Sequence, residues 1–346
     1  MHDFSPEQID ALCQRRCAFA LYALPGQKPR FCMQADGGMH EGCLGAGFVI
    51  AAYNAAPTII RAELNTPPDA QQFEALPARQ PQHPATTREQ YHHLFKQYTA
   101  SLQQGGSLNK VVLARTEDTP TGHFSPTKGF LYLCSTAPRA FNVLFHTPQH
   151  GTWLCSTPEL LLRRESNTWR TMALAGTRTN SATAWDAKNM QEHALVAEHI
   201  LDCLRPVASN ISTEGPLTLA AGKELEHLCT HIQFDMPAQN LPQLLTTLPP
   251  TPAVSGSPAP AARAFIAAHP DIERSCYAGY MGPIGEQSAH LYVTLRCMQI
   301  FSDCCRLYAG GGLMPDSDEA AEWAETVAKM QAMRGVLSHA ATHSTH

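Results

Sequence analysis

The chain has 346 residues, of which 44% are hydrophobic and 16% charged, so it can bury the core of one large domain or two ordinary ones. Its net charge of −5 argues against a nucleic-acid or anionic-membrane partner, because binding either would need a basic stripe. No apolar run approaches the roughly 20 residues that cross a bilayer, and the N-terminus lacks the order of a signal peptide. Twelve scattered cysteines without a CxxC pair predict reduced, mostly buried thiols and a cytoplasmic location.

The N-terminal part alternates short apolar runs with glycine, proline and polar clusters, which is typical of strands. Two such runs lie at 18–23 and 45–53. Five prolines within 63–87 then predict a long loop. We therefore expect residues 1–87 to contribute strands and a proline-rich loop to a larger domain.

Helical and strand-like patterns follow one another from residue 88 onward. Helices are predicted at 88–104, where a Gly-Gly pair ends the pattern, and near 184–204, 257–269 and 319–338. Strands are predicted at the apolar runs 110–115, 130–134, 141–145, 152–156, 274–281, 290–301 and 305–309. This order predicts a sheet-rich α+β fold, with residues 88–338 as the main region, integrated with 1–87, and 339–346 as a flexible tail.

The most informative segment is YAGGGLMPDSDEAAEWAETVAKM, at 308–330. Its three glycines at 310–312 predict a turn that a ligand can approach closely. A helix should follow, with Asp316 or Ser317 as its N-cap and Glu319 in its first turn.

Three charged residues of that helix share one face, because Glu322, Glu325 and Lys329 are spaced at i, i+3 and i+7. Two carboxylates and an ammonium beside a glycine turn can hold a hard cation and an anionic substrate together. The alternative is a solvated surface helix with ordinary salt bridges.

Lys110 and Glu159 are candidates for acid–base chemistry. Lys110 opens an apolar strand, where burial would favour the neutral amine that a general base needs. Glu159 leads an apolar run after Pro158, where burial would raise its pKa and preserve the proton of a general acid. The alternative for both residues is an ordinary, solvent-facing strand end.

Several further polar residues stand in unusual places. Glu192 lies in a predicted helix and, with Glu325, offers two carboxylates of the kind that hold magnesium. The segment LAGTR at 174–178 predicts a second small-residue turn, and Arg296 is a charge among apolar residues that can pair with a carboxylate. Tyr277 is flanked by predicted glycine turns. Each feature alone is weak evidence.

Nine short sequences occur in a fixed order along the chain. They are NKVVLAR, STPELLLR, LAGTR, EHALV, EHLCTHI, PPTPAVSG, ERSCYAGYMGPIG, YVTLRC and YAGGGLMPDSDEAAEWAETVAK. Together they resemble the chorismate-utilising enzyme family, which includes isochorismate synthase, salicylate synthase, anthranilate synthase component one and aminodeoxychorismate synthase. The resemblance is strong over roughly 90–335 and implies a shortened N-terminal part. It also implies two antiparallel β-sheets packed face to face with helices outside, an α/β/β/α sandwich.

The resemblance assigns roles to twelve residues. It implies that Lys110 is a catalytic base, Glu159 a catalytic acid, Glu192 and Glu325 direct Mg²⁺ ligands and Glu322 an accessory carboxylate. It implies that the enolpyruvyl carboxylate is bound by Tyr277 and Arg296, and the ring carboxylate by Gly176, Thr177, Gly310, Gly312 and Lys329.

Two histidines need separate mention. His227 and Thr230 belong to a family motif whose role we expect to be structural. His227 and His231 are four residues apart and could mimic a zinc site, but the family resemblance disfavours zinc.

Two positions distinguish the branches of the family. Ammonia-using enzymes typically carry glutamine where this chain has Lys110, whereas the branch that adds water carries lysine. Enzymes with a covalent lysine nucleophile have it where this chain has Ala175. The resemblance therefore favours water addition at carbon 2 of chorismate, with loss of the hydroxyl at carbon 4, to give isochorismate. Salicylate synthase, which would also eliminate pyruvate, is the alternative, and a non-catalytic chorismate-binding protein is a third hypothesis.

The chain departs from the family pattern at three places. Pro249 replaces a frequent histidine, Thr179 and Asn180 follow the small-residue turn where proline or arginine is usual, and Asn189 stands where some members keep an accessory glutamate.

The expected partner is the small molecule chorismate, with Mg²⁺ as cofactor. No glutamine amidotransferase subunit is expected, because water replaces ammonia, and a monomer or homodimer is expected. The product could serve menaquinone or siderophore biosynthesis.

Overall fold

The structure, a computed structural model, describes residues 4–43, 45–122, 124–178, 184–220 and 226–342. The α-helices are α1 (Pro6–Leu12), α2 (Arg88–Gln103), α3 (Pro126–Thr136), α4 (Ala187–Leu204), α5 (Leu241–Thr247), α6 (Ala259–Ala268) and α7 (Glu319–Thr342). Short 3₁₀ helices lie at Ala70–Gln72 and Ala238–Asn240. Within these ranges, no helix is both long enough and apolar enough to cross a membrane.

Most of the remaining ordered backbone is extended. The strands are β1 (Phe19–Ala23), β2 (Arg30–Met33), β3 (His40–Glu41), β4 (Gly47–Ala51), β5 (Thr58–Arg61), β6 (Lys110–Pro120), β7 (Phe141–Thr147), β8 (Gly151–Thr157), β9 (Leu160–Glu165), β10 (Thr168–Arg178), β11 (Ser209–Ala220), β12 (Glu226–Asp235), β13 (Gly256–Ser257), β14 (Tyr280–Ile284), β15 (Ser288–Val293), β16 (Cys297–Ile300) and β17 (Cys304–Leu313).

These strands form two antiparallel sheets. One has the order β13-β6-β17-β16-β8-β7-β1-β2 and the other the order β11-β12-β10-β9-β15-β14-β4-β5-β3. The N-terminal region contributes β1 and β2 to the first sheet and β3, β4 and β5 to the second. The two antiparallel sheets predicted from the sequence are confirmed.

The alternation of side chains along β1 shows how the layers are stacked. Ala20 and Tyr22 belong to a buried apolar cluster that also contains Phe48 of the other sheet. Phe19 and Leu21 belong to a second cluster, which includes buried residues of α1, α3 and α7. One face of this sheet therefore packs on the other sheet and the opposite face on helices. Full burial of each large apolar side chain contributes about 1.5–3 kcal/mol.

The run FLYLC at 130–134 was predicted as a strand, and this prediction is wrong because the segment lies in α3. Ser125 caps this helix by accepting a hydrogen bond from the N–H of its third residue, and Pro126 occupies the first position. Phe130 and Leu133, three residues apart, are both buried on one side of the helix. The start signals and the helical spacing outweigh the β-propensity of the run.

The three glycines at 310–312 do not form the predicted turn, since they lie inside β17 and pair with β6. Their lack of a side chain is required by close neighbours. A Cβ on Gly310 would lie 2.8 Å from the hydroxyl oxygen of Tyr277, and one on Gly311 would lie 2.7 Å from Oε2 of Glu322. The LAGTR segment likewise lies in β10, which bulges at this point instead of turning.

Two predicted strands near the C-terminal third also differ. Residues 290–301 form two strands, β15 and β16, with a break that contains Arg296. Arg296 has a φ of 47°, which is uncommon for a residue with a side chain. Most of the predicted strand 274–281 is turn, and β14 begins only at Tyr280.

The last helix has different ends from those predicted. Oδ1 of Asp318 accepts a hydrogen bond from the N–H of Ala321, so Asp318 is the N-cap in place of Asp316 or Ser317. The helix continues to Thr342, so the first part of the predicted tail is helical, and residues 343–346 lie outside the described residues.

Candidate active site

A cavity with about 670 Å³ of empty space, part of it open to solvent, is bounded by strands of both sheets and by α4 and α7. The predicted site residues that line it are Glu159, Gly176, Thr177, Glu192, Tyr277, Arg296, Gly310 and Lys329. The structure thus brings together residues that are distant in the sequence, although their roles remain predictions.

Lys110 and Gly312 lie just behind this lining. The side chain of Lys110 is fully buried, so the solvated strand end is excluded, and its Nζ lies 2.8 Å from Oε1 of Glu192. A Cβ on Gly312 would lie 2.6 Å from the same Glu192 oxygen and 2.6 Å from Cε of Lys110. Among the described residues, Nζ of Lys110 finds no well-directed hydrogen-bond acceptor, so charge attraction dominates this contact.

Each carboxylate predicted to bind magnesium is paired with a lysine. The pairs are Glu192 with Lys110 at 2.8 Å, Glu322 with Lys188 at 2.6 Å and Glu325 with Lys329 at 2.6 Å. The role of Lys188 was missed in the sequence, because its partner Glu322 lies on another helix far along the chain. The structure therefore shows a set of alternating charges in place of an acidic cluster.

Burial and neighbouring charges shift the pKa values of these carboxyls in different directions. Burial raises the pKa of Glu322, and the negative charge of Glu325 raises it further. Burial would also raise the pKa of Glu192, but Lys110, Lys329 and Lys188 together outweigh it and hold that pKa below its usual range. The negative charges of Glu322 and Glu325 thus repel each other, and a bound cation would reduce this repulsion.

Magnesium fits this donor set by its chemistry. The ion prefers carboxylate oxygens and water, and Glu192, Glu325 and Glu322 supply such oxygens beside the cavity. In the described part of the chain, however, no group of three or more His, Cys, Asp or Glu side chains is arranged to hold a metal ion. The lysine partners now occupy positions close to the carboxylates, so binding an ion requires that these pairs separate.

Glu159 lies between β8 and β9 and is only 5% exposed. Burial raises its pKa to about 7, although Lys110, Lys329 and Arg296 act in the opposite direction. This is the environment that the sequence predicted for a general acid. A carboxyl group with this pKa still carries its proton in a large fraction of molecules at neutral pH.

A further group of contacts centres on Thr177 and His227. The N–H of Thr177 donates to Oδ1 of Asn189 at 2.9 Å, and Oγ1 of Thr177 lies 3.2 Å from Nδ1 of His227. Nε2 of His227 lies 3.0 Å from Nη2 of Arg296. His227 lines the cavity and both of its ring nitrogens are engaged, so it is not available as a zinc ligand.

The residues that depart from the family pattern differ in where they lie relative to the cavity. Asn189 contacts the backbone of Thr177. Pro249 is not part of the cavity lining, but Ala253 and Val254 of the same segment are. Thr179 and Asn180 lie outside the described residues.

Two antiparallel sheets around a cavity with buried cations and carboxylates define an α+β protein suited to a small anionic ligand. A family model described as chorismate binding enzyme matches residues 51–338, and the chain belongs to this family.

Similar proteins agree with this assignment. The chain is 34% identical over 277 residues to "Isochorismate synthase MenF" of Escherichia coli (strain K12), with 74% of this chain and 63% of the relative covered. It is 33% identical over 268 residues to "Salicylate biosynthesis isochorismate synthase" of Pseudomonas aeruginosa, with 73% and 56% covered. The solved structure of MenF from Escherichia coli superposes with a TM-score of 0.75 at 23% identity, covering 96% of this chain and 91% of that chain, which shows the shared fold.

The matched part spans less than two thirds of the length of these two curated relatives, 63% and 56%. The matched relatives and the family model therefore establish the family and the fold.

Proposed function

We propose that this chain converts chorismate to isochorismate. The observation that carries the proposal is Glu159, a carboxyl group whose burial keeps its pKa at about 7, in the wall of a cavity that also presents Arg296 and Lys329. A proton donor beside fixed positive charges suits a reaction in which a hydroxyl leaves a dianionic substrate. The names of the similar proteins support the same reaction.

The proposed reaction exchanges one water for another. Lys110 accepts a proton from a water whose oxygen bonds to carbon 2, the ring double bonds shift, and Glu159 gives its proton to the hydroxyl that leaves carbon 4 as water. In this structure Lys110 faces Glu192 and does not line the cavity, so its role as base rests on the family resemblance.

The carboxylates of chorismate are proposed to bind at two places. Arg296 and Tyr277 would hold the enolpyruvyl carboxylate, and the other, on the ring, would lie against the residues Gly176, Thr177, Gly310, Gly312 and Lys329. Magnesium, held by Glu192 and Glu325 with Glu322 as accessory, would supply positive charge beside the ring carboxylate.

Two features favour water over ammonia as the nucleophile. Lys110 replaces the glutamine of ammonia-using enzymes, and Ala175, which lines the cavity, offers no amine for a covalent intermediate. We therefore propose that the chain acts without a glutamine amidotransferase subunit. We also propose that it acts in the cytoplasm and supplies either menaquinone or siderophore biosynthesis.

The test is incubation of the purified protein with chorismate and Mg²⁺, followed by chromatographic separation of the products. Isochorismate is expected, and a chelator in a parallel reaction should stop its formation. Salicylate with pyruvate would show a salicylate synthase instead. Anthranilate on addition of ammonia, or unchanged chorismate, would contradict the proposal.

A further inference from the structure

A histidine ring joins two residues at the cavity. Nη2 of Arg296 lies 3.0 Å from Nε2 of His227. On the other side of the ring, Nδ1 lies 3.2 Å from Oγ1 of Thr177 and 3.3 Å from the carbonyl oxygen of Gly176. The ring therefore touches both of the places proposed to bind a substrate carboxylate.

The partners of the ring determine where its proton lies. A guanidinium group only donates hydrogen bonds, so Nε2 of His227 must accept from Arg296. A carbonyl oxygen only accepts, so Nδ1 must donate to Gly176. Both contacts require the neutral Nδ1–H tautomer. Burial, aided by the charges of Arg296 and Lys329, lowers the pKa of His227 to about 3, in agreement with a neutral ring.

This tautomer has a consequence for Thr177. Because Nδ1 of His227 carries a hydrogen, the hydroxyl of Thr177 can accept from the ring but cannot donate to it. Its own hydrogen is left to point elsewhere, and Thr177 lines the cavity. The same ring holds one arm of Arg296, whose backbone stands at a φ of 47° in the break between two strands. The ring thus contacts two residues that both line the cavity.

Asn189 holds the same segment from α4. Its Oδ1 accepts from the N–H of Thr177 at 2.9 Å, and its Nδ2 donates to Oδ1 of Asp186 at 2.9 Å, so both partners fix the orientation of the amide. Gly176 has a φ of 77°, and a Cβ there would lie 3.3 Å from Oδ1 of Asn189. The bulge in β10 is therefore fitted closely to this side chain.

We propose that His227, as the neutral Nδ1–H tautomer, and Asn189 are positioning residues that set the places of Arg296 and Thr177 for binding the two carboxylates of the substrate. The proposal rests on the proposed function, since chorismate is the expected dianion. It replaces the purely structural role that the sequence suggested for His227. It also gives a role to Asn189, which stands where some family members keep an accessory glutamate.

The first test is independent of the reaction. ¹⁵N NMR of protein labelled at histidine distinguishes protonated from unprotonated ring nitrogens. The signals of His227 are those that are missing from the spectrum of His227→Gln. At pH 7 they should show a protonated Nδ1 and an unprotonated Nε2. The Nε2–H tautomer or an imidazolium would overturn the proposal whatever the chain catalyses.

The second test separates positioning from packing. His227→Gln keeps an acceptor for Arg296 at the end of the side chain, whereas His227→Leu fills space without one. The dissociation constant of chorismate, from calorimetry, should rise about tenfold or more in the Leu variant and less than about threefold in the Gln variant, with KM following and kcat less affected. Equal affinities in the two variants would overturn the proposal.

Controls and the second positioning residue complete the design. His146 is buried, with both ring nitrogens engaged and no place in the cavity lining, so His146→Leu should lower stability but leave chorismate affinity unchanged. Asn189→Leu should weaken binding about fivefold. Asn240, whose Nδ2 donates to the carbonyl oxygen of Val207 and which does not line the cavity, is the control, and Asn240→Leu should leave affinity unchanged. Unchanged affinity in Asn189→Leu would remove Asn189 from the proposal. A wild-type chain that binds chorismate but makes another product would contradict the proposed function alone, since the Leu and Gln comparison would remain valid.

Discussion

Two groups of polar residues at and behind the cavity wall are held in contrasting ways. What we call the charged wall consists of the three ion pairs Lys110–Glu192, Lys188–Glu322 and Lys329–Glu325, of which Glu192 and Lys329 line the cavity. What we call the neutral wall consists of Asn189, Thr177 and His227, which are linked by hydrogen bonds. Both walls meet at α4, which carries Glu192 and Lys188 toward the first and Asn189 toward the second.

The contrast shows which part of the site can rearrange and which is preset. An ion pair can exchange its partner for another charge, and a buried carboxylate left alone costs several kcal/mol, so the charged wall is suited to take up a cation or an anionic substrate. Neutral hydrogen bonds with one possible donor and acceptor assignment fix direction instead. We therefore expect the charged wall to adapt to ligands and the neutral wall to set their orientation.

The largest effect is expected at the charged wall from Lys110→Gln. Glutamine can still donate to Glu192 but cannot accept the proton of water, so kcat should fall by about 10⁴-fold. Calorimetry should show that chorismate still binds in the presence of Mg²⁺. The exposed Lys96 offers a matched control, since Lys96→Gln should leave both quantities unchanged. Activity like that of the wild type in Lys110→Gln would refute the role of Lys110 as base.

Glu159→Gln is expected to reduce kcat by about 10³-fold, since the general acid is lost while the shape is kept. The pKa of Glu159 is raised to about 7, so the protonated form is lost as pH rises through that value. In the wild type kcat should therefore fall above about pH 7. The kcat of Glu159→Gln should not fall above about pH 7. If the fall persists in this variant, a group other than Glu159 causes it.

The motif residues could be predicted because the chemistry of a family constrains their identity and order. Their backbone conformations were predicted less well. FLYLC lies in a helix that Ser125 caps, a local signal that the β-propensity of the run concealed. The glycines at 310–312 lie in a strand paired with β6, where Tyr277 and Glu322 leave no room for a side chain, and these neighbours become apparent only in the fold.

The pairing of charges was equally hidden from sequence reasoning. Three glutamates were predicted as metal ligands, and the structure places a lysine beside each one. Only the pair Glu325–Lys329 had a local signal, since the two residues are four apart on one helix, whereas Lys188 and Glu322 are far apart in the sequence. The neutral wall was out of reach, because the tautomer of His227 follows from Arg296 and Gly176, which the fold brings to opposite sides of its ring.

A smaller effect, on stability, should show whether Lys188 and Mg²⁺ compete for Glu322. Lys188→Met leaves the buried Glu322 with the hydroxyl of Ser317 but without its cationic partner, so the metal-free protein should lose about 2–3 kcal/mol of unfolding free energy. Added Mg²⁺ should restore stability more in this variant than in the wild type, because the ion binds only the folded carboxylates. Thermal unfolding with and without Mg²⁺ measures both effects. An equal magnesium shift in the two proteins would contradict a competition between Lys188 and the ion.

The smallest expected effect is a loss of folding stability in acid, caused by His227 of the neutral wall. The pKa of His227 is lowered to about 3 in the folded protein, whereas an unfolded histidine titrates near 6.5, so the unfolded chain binds more protons between these values. Its contribution to stability is therefore complete above about pH 6.5 and is lost as pH falls toward 3. Between pH 7 and pH 4.5, urea unfolding should show that the wild type loses about 2 kcal/mol more unfolding free energy than His227→Gln.

His146, whose pKa is lowered to about 4, serves as the control. His146→Gln should show a similar difference in stability but no change in chorismate affinity. Acid sensitivity would then be common to buried histidines, while ligand affinity would belong to the neutral wall alone.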